Sequence, residues 1–370
     1  MTTGYLVLED GTSFMGTIEN GNDNIGEVVF TTSMTGYQEI ITDPSYADQI
    51  IVFTYPLIGN YGLNQDSEES DVKHLTGVIA YDFHLTKEQK QEETFLHYLN
   101  KNKIPHLTGV DTRAIVKYIG RNKAMKGILT NYPPDSNIIK EKLYEMRGYK
   151  LNSIDLIQKV STKKILRFGH EPREENKKLH IVVMDLGCKQ SIIRTLCNLE
   201  SKVTVVPWNT TYEQIESLQP DGILISNGPG DPAQMKDLYN VIKELTFNYP
   251  TLGICLGHQL IAAAYGGMTE RMGFGHRGSN HPVYNHKTGK VFITSQNHGY
   301  VVTKNKEIEE EFDITYSHVN DNSIEGLQHK KLPIQTVQFH PESSPGPLDT
   351  LSIFKDYLQM IESERKYVFT

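Results

Sequence analysis

The sequence predicts an α/β protein of two domains: an N-terminal mixed α and β domain, and a C-terminal domain with a mostly parallel sheet covered by helices. The length of 370 residues is long for one domain and comfortable for two. In the C-terminal half, apolar β-like runs alternate with helical segments, which is typical of a mostly parallel sheet covered by helices. The N-terminal half begins with short β-like runs and continues with helical segments.

The N-terminal domain is predicted to span residues 1–150. Its β-like runs are 5–8, 27–32 and 49–54. Its helical segments are 87–100, 111–118 and 137–146. Asp111 and Thr112 can each cap the second of these helices, because an oxygen on a short side chain accepts hydrogen bonds from the first helical N–H groups.

A charged stretch that contains glycine and proline separates the two halves. Residues 161–178 hold Gly169 and Pro172 among many charged side chains. Such a stretch buries little apolar surface and is typical of a linker. We therefore predict a linker at 151–177 and a second domain at 178–370.

The second domain shows the alternation of strands and helices. Its predicted strands are 180–184, 203–206, 222–225, 252–254, 291–294 and 334–339. Its predicted helices are 190–199, 212–218, 232–247 and 348–363, with another that begins near Gly257. In sheets of this kind the chemistry lies at the carboxyl ends of the strands, so functional motifs are expected directly after strands.

Composition argues against several classes of protein. A net charge of −8 and a pI near 6.0 do not suit a general nucleic-acid binder. The first residues do not look like a signal peptide, and the apolar stretch 251–269 holds glycines, a histidine and a glutamine that do not suit a membrane span. The three cysteines, Cys188, Cys197 and Cys255, lack the spacing of a disulfide framework or a zinc site. We expect a cytoplasmic protein that binds neither nucleic acid nor membrane.

A cysteine occupies a sharp turn between a strand and a helix. Gly253-Ile254-Cys255-Leu256-Gly257 has the pattern of a nucleophile elbow, with cysteine at the nucleophile position. The flanking glycines suit a turn that leaves little room for side chains, and the helix N-terminus favours a thiolate. A buried cysteine in a glycine-rich turn is the alternative interpretation.

A histidine and a glutamate follow the last predicted strand. His340 and Glu342 are two residues apart, so on an extended segment both side chains point to the same side. Glu342 can then accept a hydrogen bond from one imidazole nitrogen while the other nitrogen faces the sulfur of Cys255, as in a Cys-His-Glu triad. His258, three residues after Cys255, is a rival base that we rank second because it has no evident carboxylate partner.

Acyl transfer also needs donors for the oxyanion of a tetrahedral intermediate. The backbone N–H of Leu256 is one candidate, and the loop 226–232, which contains Gly228 and Gly230, is the other. A tight turn is the alternative for that loop. A phosphate-binding loop is less favoured, because the chain has no G-x-x-x-x-G-K-[ST] run.

These three motifs together resemble the class I, triad-type glutamine amidotransferases, over roughly residues 178–365. The N-terminal half is similar to the small-subunit family of carbamoyl-phosphate synthetases. Its matching motifs are TGYQE at 35–39, TDPSY at 42–46, YPLIGNYG at 55–62 and GVDTR at 109–113. The two regions together span nearly the whole chain.

The resemblance implies an activity and a partner. Glutamine would be hydrolysed to glutamate and ammonia, and a tunnel would deliver the ammonia to a large synthetase subunit that the N-terminal domain contacts. That subunit would make carbamoyl phosphate from bicarbonate with ATP and Mg, for arginine and pyrimidine synthesis. This chain would hold no cofactor of its own.

The resemblance also implies roles for individual residues. Cys255 matches the nucleophile, His340 the base and Glu342 its orienter. Binding of glutamine and the oxyanion falls to Ser45, Gly228, Gly230, Leu256, Gln259, Asn297, Gly299 and Tyr300. Ser45 lies in the other domain, so the two domains are expected to meet at the active site. Read without the resemblance, Ser45 is a turn or cap serine after Pro44.

Other functions stay open at this stage. His276 and His281 are five residues apart and have no evident third ligand, so we expect a structural role and no metal. A free-standing hydrolase of γ-glutamyl amides on the same fold would turn over glutamine without a partner. A catalytically silent binding module would typically lack Cys255 or His340, and this chain keeps both.

Overall fold

The computed structural model describes residues 2–84, 94–169 and 178–368. Contacts between residues divide the chain into two units, Met1–Leu151 and Asn152–Thr370. No helix in the described ranges is long and apolar enough to cross a membrane.

In the described part of the first unit, seven strands close into a barrel. They are β1 (Thr2–Leu8), β2 (Ser13–Glu19), β3 (Gly26–Thr31), β4 (Gln49–Phe53), β5 (Gly77–Ile79), β6 (His106–Thr108) and β7 (Met125–Thr130). The order around the barrel is β1-β2-β6-β5-β4-β3-β7, and β7 pairs with β1 to close it. The strands β3, β4, β5 and β6 run parallel to one another, and the remaining pairs are antiparallel. Closure leaves no unpaired sheet edge.

The described part of the first unit also contains four α-helices. They are α1 (Tyr37–Thr42), α2 (Phe95–Lys101), α3 (Thr112–Asn122) and α4 (Asn137–Gly148). The expected cap of α3 is confirmed for Asp111, whose side chain accepts a hydrogen bond from the Ala114 N–H at 2.9 Å. The part of the predicted helix 87–100 that covers 87–93 lies outside the described residues.

The second unit contains a ten-stranded sheet in its described part. Its strands are β8 (Leu166–Phe168), β9 (His180–Asp185), β10 (Lys202–Pro207), β11 (Gly222–Ile225), β12 (Thr251–Ile254), β13 (Met268–Asn285), β14 (Lys290–Thr303), β15 (Phe312–His318), β16 (Ile324–His329) and β17 (Ile334–Val337). Its helices are α5 (Ser153–Val160), α6 (Gln190–Asn198), α7 (Tyr212–Glu216), α8 (Tyr239–Asn248), α9 (Leu256–Ala264), α10 (Lys306–Glu311) and α11 (Ser352–Val368). The α/β class predicted from the sequence is confirmed, and apolar cores lie on both faces of the sheet.

The parallel part of this sheet is its centre. The strands β10, β9, β11, β12 and β17 pair in parallel, in that order. Antiparallel strands extend the sheet on one side through β16, β15, β13 and β14, and on the other through β8. Of the β13–β14 hairpin, the sequence pattern predicted only the strand 291–294. Two register shifts in that hairpin break the period-two alternation on which strand prediction depends.

The predicted linker at 151–177 differs from the structure in its described part. Helix α5 buries Leu156 and Ile157, and β8 pairs with β10. Ile157 belongs to the same apolar core as the central strands. The many charged residues of this stretch made the apolar face of α5 hard to recognise in the sequence. Residues 170–177 of the predicted linker lie outside the described part.

The turn between β12 and α9 is tightly packed. Cys255 has a φ of +53°, a conformation that side chains rarely adopt. A Cβ on Gly257 would lie 2.1 Å from the carbonyl oxygen of Ile225, and one on Gly253 would lie 3.0 Å from the backbone of Gly257. The flanking glycines are therefore required by close backbone contacts on both sides of the cysteine.

We predict that Gly257→Ala destabilises the protein, since the added methyl group meets backbone that cannot move aside. The free energy of unfolding, measured by urea denaturation, should fall by about 1–3 kcal/mol. Gly273→Ala is the matched control, because a Cβ there meets nothing within 4 Å. Equal stability of the two variants would contradict this account of the turn.

Candidate active site

Cys255 lies between the last residue of β12, Ile254, and the first residue of α9, Leu256, so it lies at the carboxyl end of the parallel strands. The backbone N–H of Cys255 donates to the carbonyl of Val337 at 2.8 Å, which ties the turn to β17. Its side chain is buried, and Sγ donates to the carbonyl oxygen of Asn297 at 3.6 Å. The sulfur is thus enclosed between the turn and β14.

His340 and Glu342 follow β17 and face the same way, as predicted. His340 Nδ1 lies 2.7 Å from Glu342 Oε1, and both side chains are buried. The backbone N–H of His340 donates to the carbonyl of Ser295 at 2.9 Å, which fixes this segment against β14. The second ring nitrogen, Nε2, is buried and makes no hydrogen bond with the residues that the structure describes.

A buried lysine completes this group, and the sequence analysis missed it. Lys189 Nζ lies 2.9 Å from Glu342 Oε1 and donates to the carbonyl of Ser343 at 2.7 Å. The lysine follows β9 within a few residues, so it too lies near the carboxyl end of a central strand. Its position after a strand was the one available signal, and a lone lysine is more often a surface charge.

The charges of these groups shift one another's ionisation. Burial alone would raise the pKa of Glu342, but the positive charges of Lys189 and His340 lower it to about 2. Burial alone would lower the pKa of His340, but the negative charges of Glu342 and Cys255 raise it to about 10. The arrangement therefore favours an ionised Glu342 beside a protonated His340. Ser295, which binds the backbone of His340, and Asn297, whose carbonyl contacts Sγ of Cys255, are two residues apart on β14, so His340 and Cys255 contact the same segment of that strand.

The rival base His258 lies in a different environment. Its ring is fully buried, and Nδ1 hydrogen-bonds to Oγ1 of Thr336 at 2.8 Å. Burial lowers the pKa of His258 to about 3, so this imidazole is neutral at physiological pH. The structure pairs it with a hydroxyl and gives it no carboxylate partner among the described residues.

The glycine-rich loop 226–232 lies directly against the turn that carries Cys255. The N–H of Gly257 donates to the carbonyl of Ser226 at 3.1 Å. A Cβ on Gly228 would lie 2.1 Å from the carbonyl oxygen of Leu186, and Gly230 has a φ of +107°. These glycines allow the loop to pack against its neighbours, and Leu256 follows the cysteine in the same turn.

Several of the other predicted site residues are linked to the turn of Cys255 by sequence or by hydrogen bonds. Gln259 is one turn along α9 from Cys255, and its Nε2 donates to the carbonyl of Tyr300 at 2.8 Å. Asn297, Gly299 and Tyr300 belong to β14, which reaches Cys255 through Asn297. Ser45 lies in the first unit, in a short 3₁₀ turn where its N–H donates to the Asp43 carboxylate at 2.9 Å. Its predicted contact with glutamine stays a prediction.

The structure also brings to the sulfur a residue that the sequence analysis did not single out. Gln338 is fully buried, and its Nε2 lies 3.7 Å from Sγ of Cys255. Its Oε1 accepts a hydrogen bond from Gln259 Nε2 at 2.9 Å. Its place two residues before His340 was a signal that could have been used, since alternate residues of an extended segment share a face.

Histidines of the β13–β14 hairpin and of β15 form groups that could hold a metal ion. One group is His276, His281 and His318, and the other is His276, His298 and Glu325. Protein atoms already bind most of these nitrogens: His281 Nδ1 lies 3.1 Å from His318 Nε2, and His276 Nε2 lies 2.8 Å from Asp321. A hydrogen-bonded imidazole cluster accounts for these contacts.

Comparisons with known proteins agree over the whole chain. Residues 182–360 match the family model of class-I glutamine amidotransferases, and residues 6–129 match that of the carbamoyl-phosphate synthase small chain, CPSase domain. The carbamoyl phosphate synthase arginine-specific small chain of Bacillus subtilis is 47% identical over 367 residues, covering 99% of both chains. The protein of the same name from Halalkalibacterium halodurans is 44% identical, covering 97% of both. The carbamoyl phosphate synthase small chain of Bacillus anthracis is 45% identical, covering 98% of this chain and 96% of the other.

Proposed function

We propose, for a chain that belongs to the carbamoyl-phosphate synthase small-chain family, that Cys255, His340 and Glu342 hydrolyse glutamine to glutamate and ammonia. The observation that carries this proposal is the buried His340–Glu342 pair beside a cysteine on a strained turn. In this arrangement a protonated imidazole and a thiolate can exist together, which is the reactive form of a cysteine nucleophile.

The first half of the reaction forms a thioester. The thiolate of Cys255 attacks the side-chain amide carbon of glutamine, and the carbonyl oxygen takes on negative charge. Backbone N–H groups of Leu256 and of the loop 226–232 are the proposed donors to this oxyanion. His340 then gives its proton to the leaving nitrogen, the C–N bond breaks, and ammonia departs.

The second half releases glutamate. Neutral His340 takes a proton from a water molecule, whose oxygen attacks the thioester carbon. When the C–S bond breaks, the electron pair returns to Cys255 and the proton stays on His340, which restores the starting state. Glu342 orients the imidazole throughout, and Lys189 balances the charge of Glu342 in its buried position.

Recognition of glutamine requires hydrogen bonds to an α-ammonium, an α-carboxylate and an amide. The proposed binding residues, as expected from the resemblance, are Ser45, Gly228, Gly230, Leu256, Gln259, Asn297, Gly299 and Tyr300. Backbone groups can supply several of these contacts, as Tyr300 already offers its carbonyl to Gln259. A tyrosine in place of the phenylalanine common in the family is then expected to matter little.

A small chain implies a large partner chain. We propose that the large subunit of carbamoyl-phosphate synthetase receives the ammonia and makes carbamoyl phosphate from bicarbonate, with ATP and Mg bound on that subunit. This chain is proposed to act without a cofactor or metal of its own. Its cytoplasmic location stays a prediction.

We predict that Cys255→Ser abolishes glutamine hydrolysis, with a loss of about 10³-fold or more. The complex with the large subunit should still make carbamoyl phosphate from added ammonia, because that chemistry is proposed to lie on the partner. Glutamate release and carbamoyl phosphate are measured in parallel, with Cys197→Ser as the control. Loss of both activities would indicate damage to assembly, and full glutamine hydrolysis would refute the role of Cys255.

The two candidate bases can be separated. His340→Asn should lower glutamine hydrolysis by about 10³-fold, whereas His258→Asn should lower it by about tenfold at most and should mainly affect thermal stability. The physical reason is that His340 has a carboxylate partner and His258 a hydroxyl partner. If the His258 variant alone lost activity, the assignment of the base would be wrong.

We also expect a defined change in the pH profile of Glu342→Gln. The charge of Glu342 helps raise the pKa of His340 to about 10, so its removal lowers that pKa and the imidazolium is lost at lower pH. The alkaline limb of kcat/KM for glutamine should therefore move to lower pH. Glu362→Gln, at an exposed position of α11, is the control. An unchanged or more alkaline limb would contradict the coupling.

A further inference from the structure

A row of buried side-chain amides ends at the sulfur of Cys255. It begins at the carbonyl of Tyr300, passes through Gln259 and Gln338, and reaches Sγ. We propose that Gln338 is a further catalytic residue of this site, whose side-chain N–H stabilises the thiolate of Cys255, and that Gln259 is the residue that positions it. This inference rests on the proposed role of Cys255 as the nucleophile.

The Tyr300 carbonyl determines which way each amide faces. A backbone carbonyl only accepts hydrogen bonds, so Gln259 must present Nε2 to it, at 2.8 Å. The same Nε2 donates to Gln338 at 2.9 Å, so Gln338 must present Oε1 to Gln259. The remaining end of the Gln338 amide, Nε2, then faces Sγ at 3.7 Å. A flipped Gln338 would place nitrogen against nitrogen at one end and oxygen against sulfur at the other.

Burial makes this contact effective. Gln338 is 0% exposed and Gln259 is 3% exposed. Hydrogen bonds to a charged group in such an environment are stronger than in water. The backbone of Gln338 is held as well, since its N–H donates to the carbonyl of Glu325 at 2.9 Å. The donor is therefore fixed in place before the sulfur ionises.

The two polar contacts of Sγ have opposite preferences. The carbonyl of Asn297, at 3.6 Å, accepts a hydrogen bond from the protonated thiol and repels a thiolate. The Nε2 of Gln338 donates a hydrogen bond, and its attraction grows when the sulfur carries a negative charge. Gln338 thus offsets the repulsion by Asn297 when His340 takes the proton.

The test measures the nucleophile directly. Iodoacetamide alkylates the thiolate form of cysteine, and peptide mapping separates Cys255 from Cys188 and Cys197. The rate of Cys255 alkylation is followed against pH in the full chain. Because this reagent does not need the glutamine site, the readout separates the state of the sulfur from substrate binding.

The main variant is Gln338→Met, which removes the N–H donor and keeps a side chain of similar length. We expect alkylation of Cys255 at neutral pH to slow by about tenfold, and the pH of half-maximal rate to rise by about one unit, the size expected for a hydrogen bond to a charged group. Gln335→Met is the matched control, since Gln335 belongs to the same segment and is half-buried. His340 is intact in both variants, and a thermal unfolding curve checks that each variant folds.

Two further variants complete the design. Gln338→Glu keeps the shape of the side chain, but a carboxylate cannot donate a hydrogen bond. We therefore expect a larger loss in the rate of Cys255 alkylation than in Gln338→Met. This variant also serves as the test if Gln338→Met fails to fold. Gln259→Met leaves Gln338 in place without its anchor, and a smaller loss of the same kind is expected.

The outcomes separate this inference from the proposed function. Folded Gln338 variants with the wild-type rate and pH midpoint would overturn the role of Gln338, and so would a rate lowered equally at every pH. Both results leave the nucleophile in place, because its role is tested separately by glutamine hydrolysis in Cys255→Ser. Full glutamine hydrolysis by Cys255→Ser would refute the role of Cys255 and, with it, this inference.

Discussion

The buried ion group of Lys189, Glu342 and His340 is the interaction on which the rest of the site depends. All three side chains are almost completely removed from solvent, and charged groups in such a place are costly unless each has a partner. Glu342 lies between two cations, 2.7 Å from His340 and 2.9 Å from Lys189. Loss of Glu342 would leave two buried cations without the carboxylate that they share. The group therefore maintains both the position and the protonation of the imidazole beside Cys255.

The backbone around the cysteine is organised for the same purpose. The positive φ of Cys255 is unfavourable for a side chain, and such conformations persist only where the surroundings determine them strongly. Here the surroundings are the contacts of Gly257 with Ile225 and Ser226, and the bond from Cys255 to Val337. Three parallel strands thus hold one turn. This arrangement places the sulfur at the carboxyl end of the central strands and holds the backbone of Cys255 in place.

The irregular hairpin of β13 and β14 forms the opposite wall of the site. It supplies the carbonyls of Asn297 and Tyr300, and Ser295 receives the backbone bond from His340. Backbone acceptors are useful here because they have a fixed direction and no charge. They orient the amides of Gln259 and Gln338, and so they decide which polar atom meets the sulfur. The hairpin contacts the sulfur directly through the Asn297 carbonyl. It also acts indirectly, because the Tyr300 carbonyl orients Gln259 and Gln338.

Much of this architecture could be predicted from local patterns. The alternation of strands and helices, the glycines around Cys255, and the two-residue spacing of His340 and Glu342 each follow from short-range rules of backbone geometry. Errors arose where the local pattern was broken or concealed, as in the register shifts of β13 and β14 and the charged stretch that contains α5.

The contacts of Lys189 and Gln338 became visible only once the chain was folded. Lys189 is 153 residues away from Glu342 in the chain, and Gln338 is 83 residues away from Cys255. The local signals, a position after a strand for Lys189 and a position two residues before His340 for Gln338, do not name the partner of either residue. A buried polar contact depends on which strand ends lie side by side and on which atoms of each side chain face one another. Local sequence patterns were enough to place the central strands and helices and the reactive residue types. Packing across the sheet set the partners of those residues, because hydrogen bonds and charges act over distances in space and not along the chain.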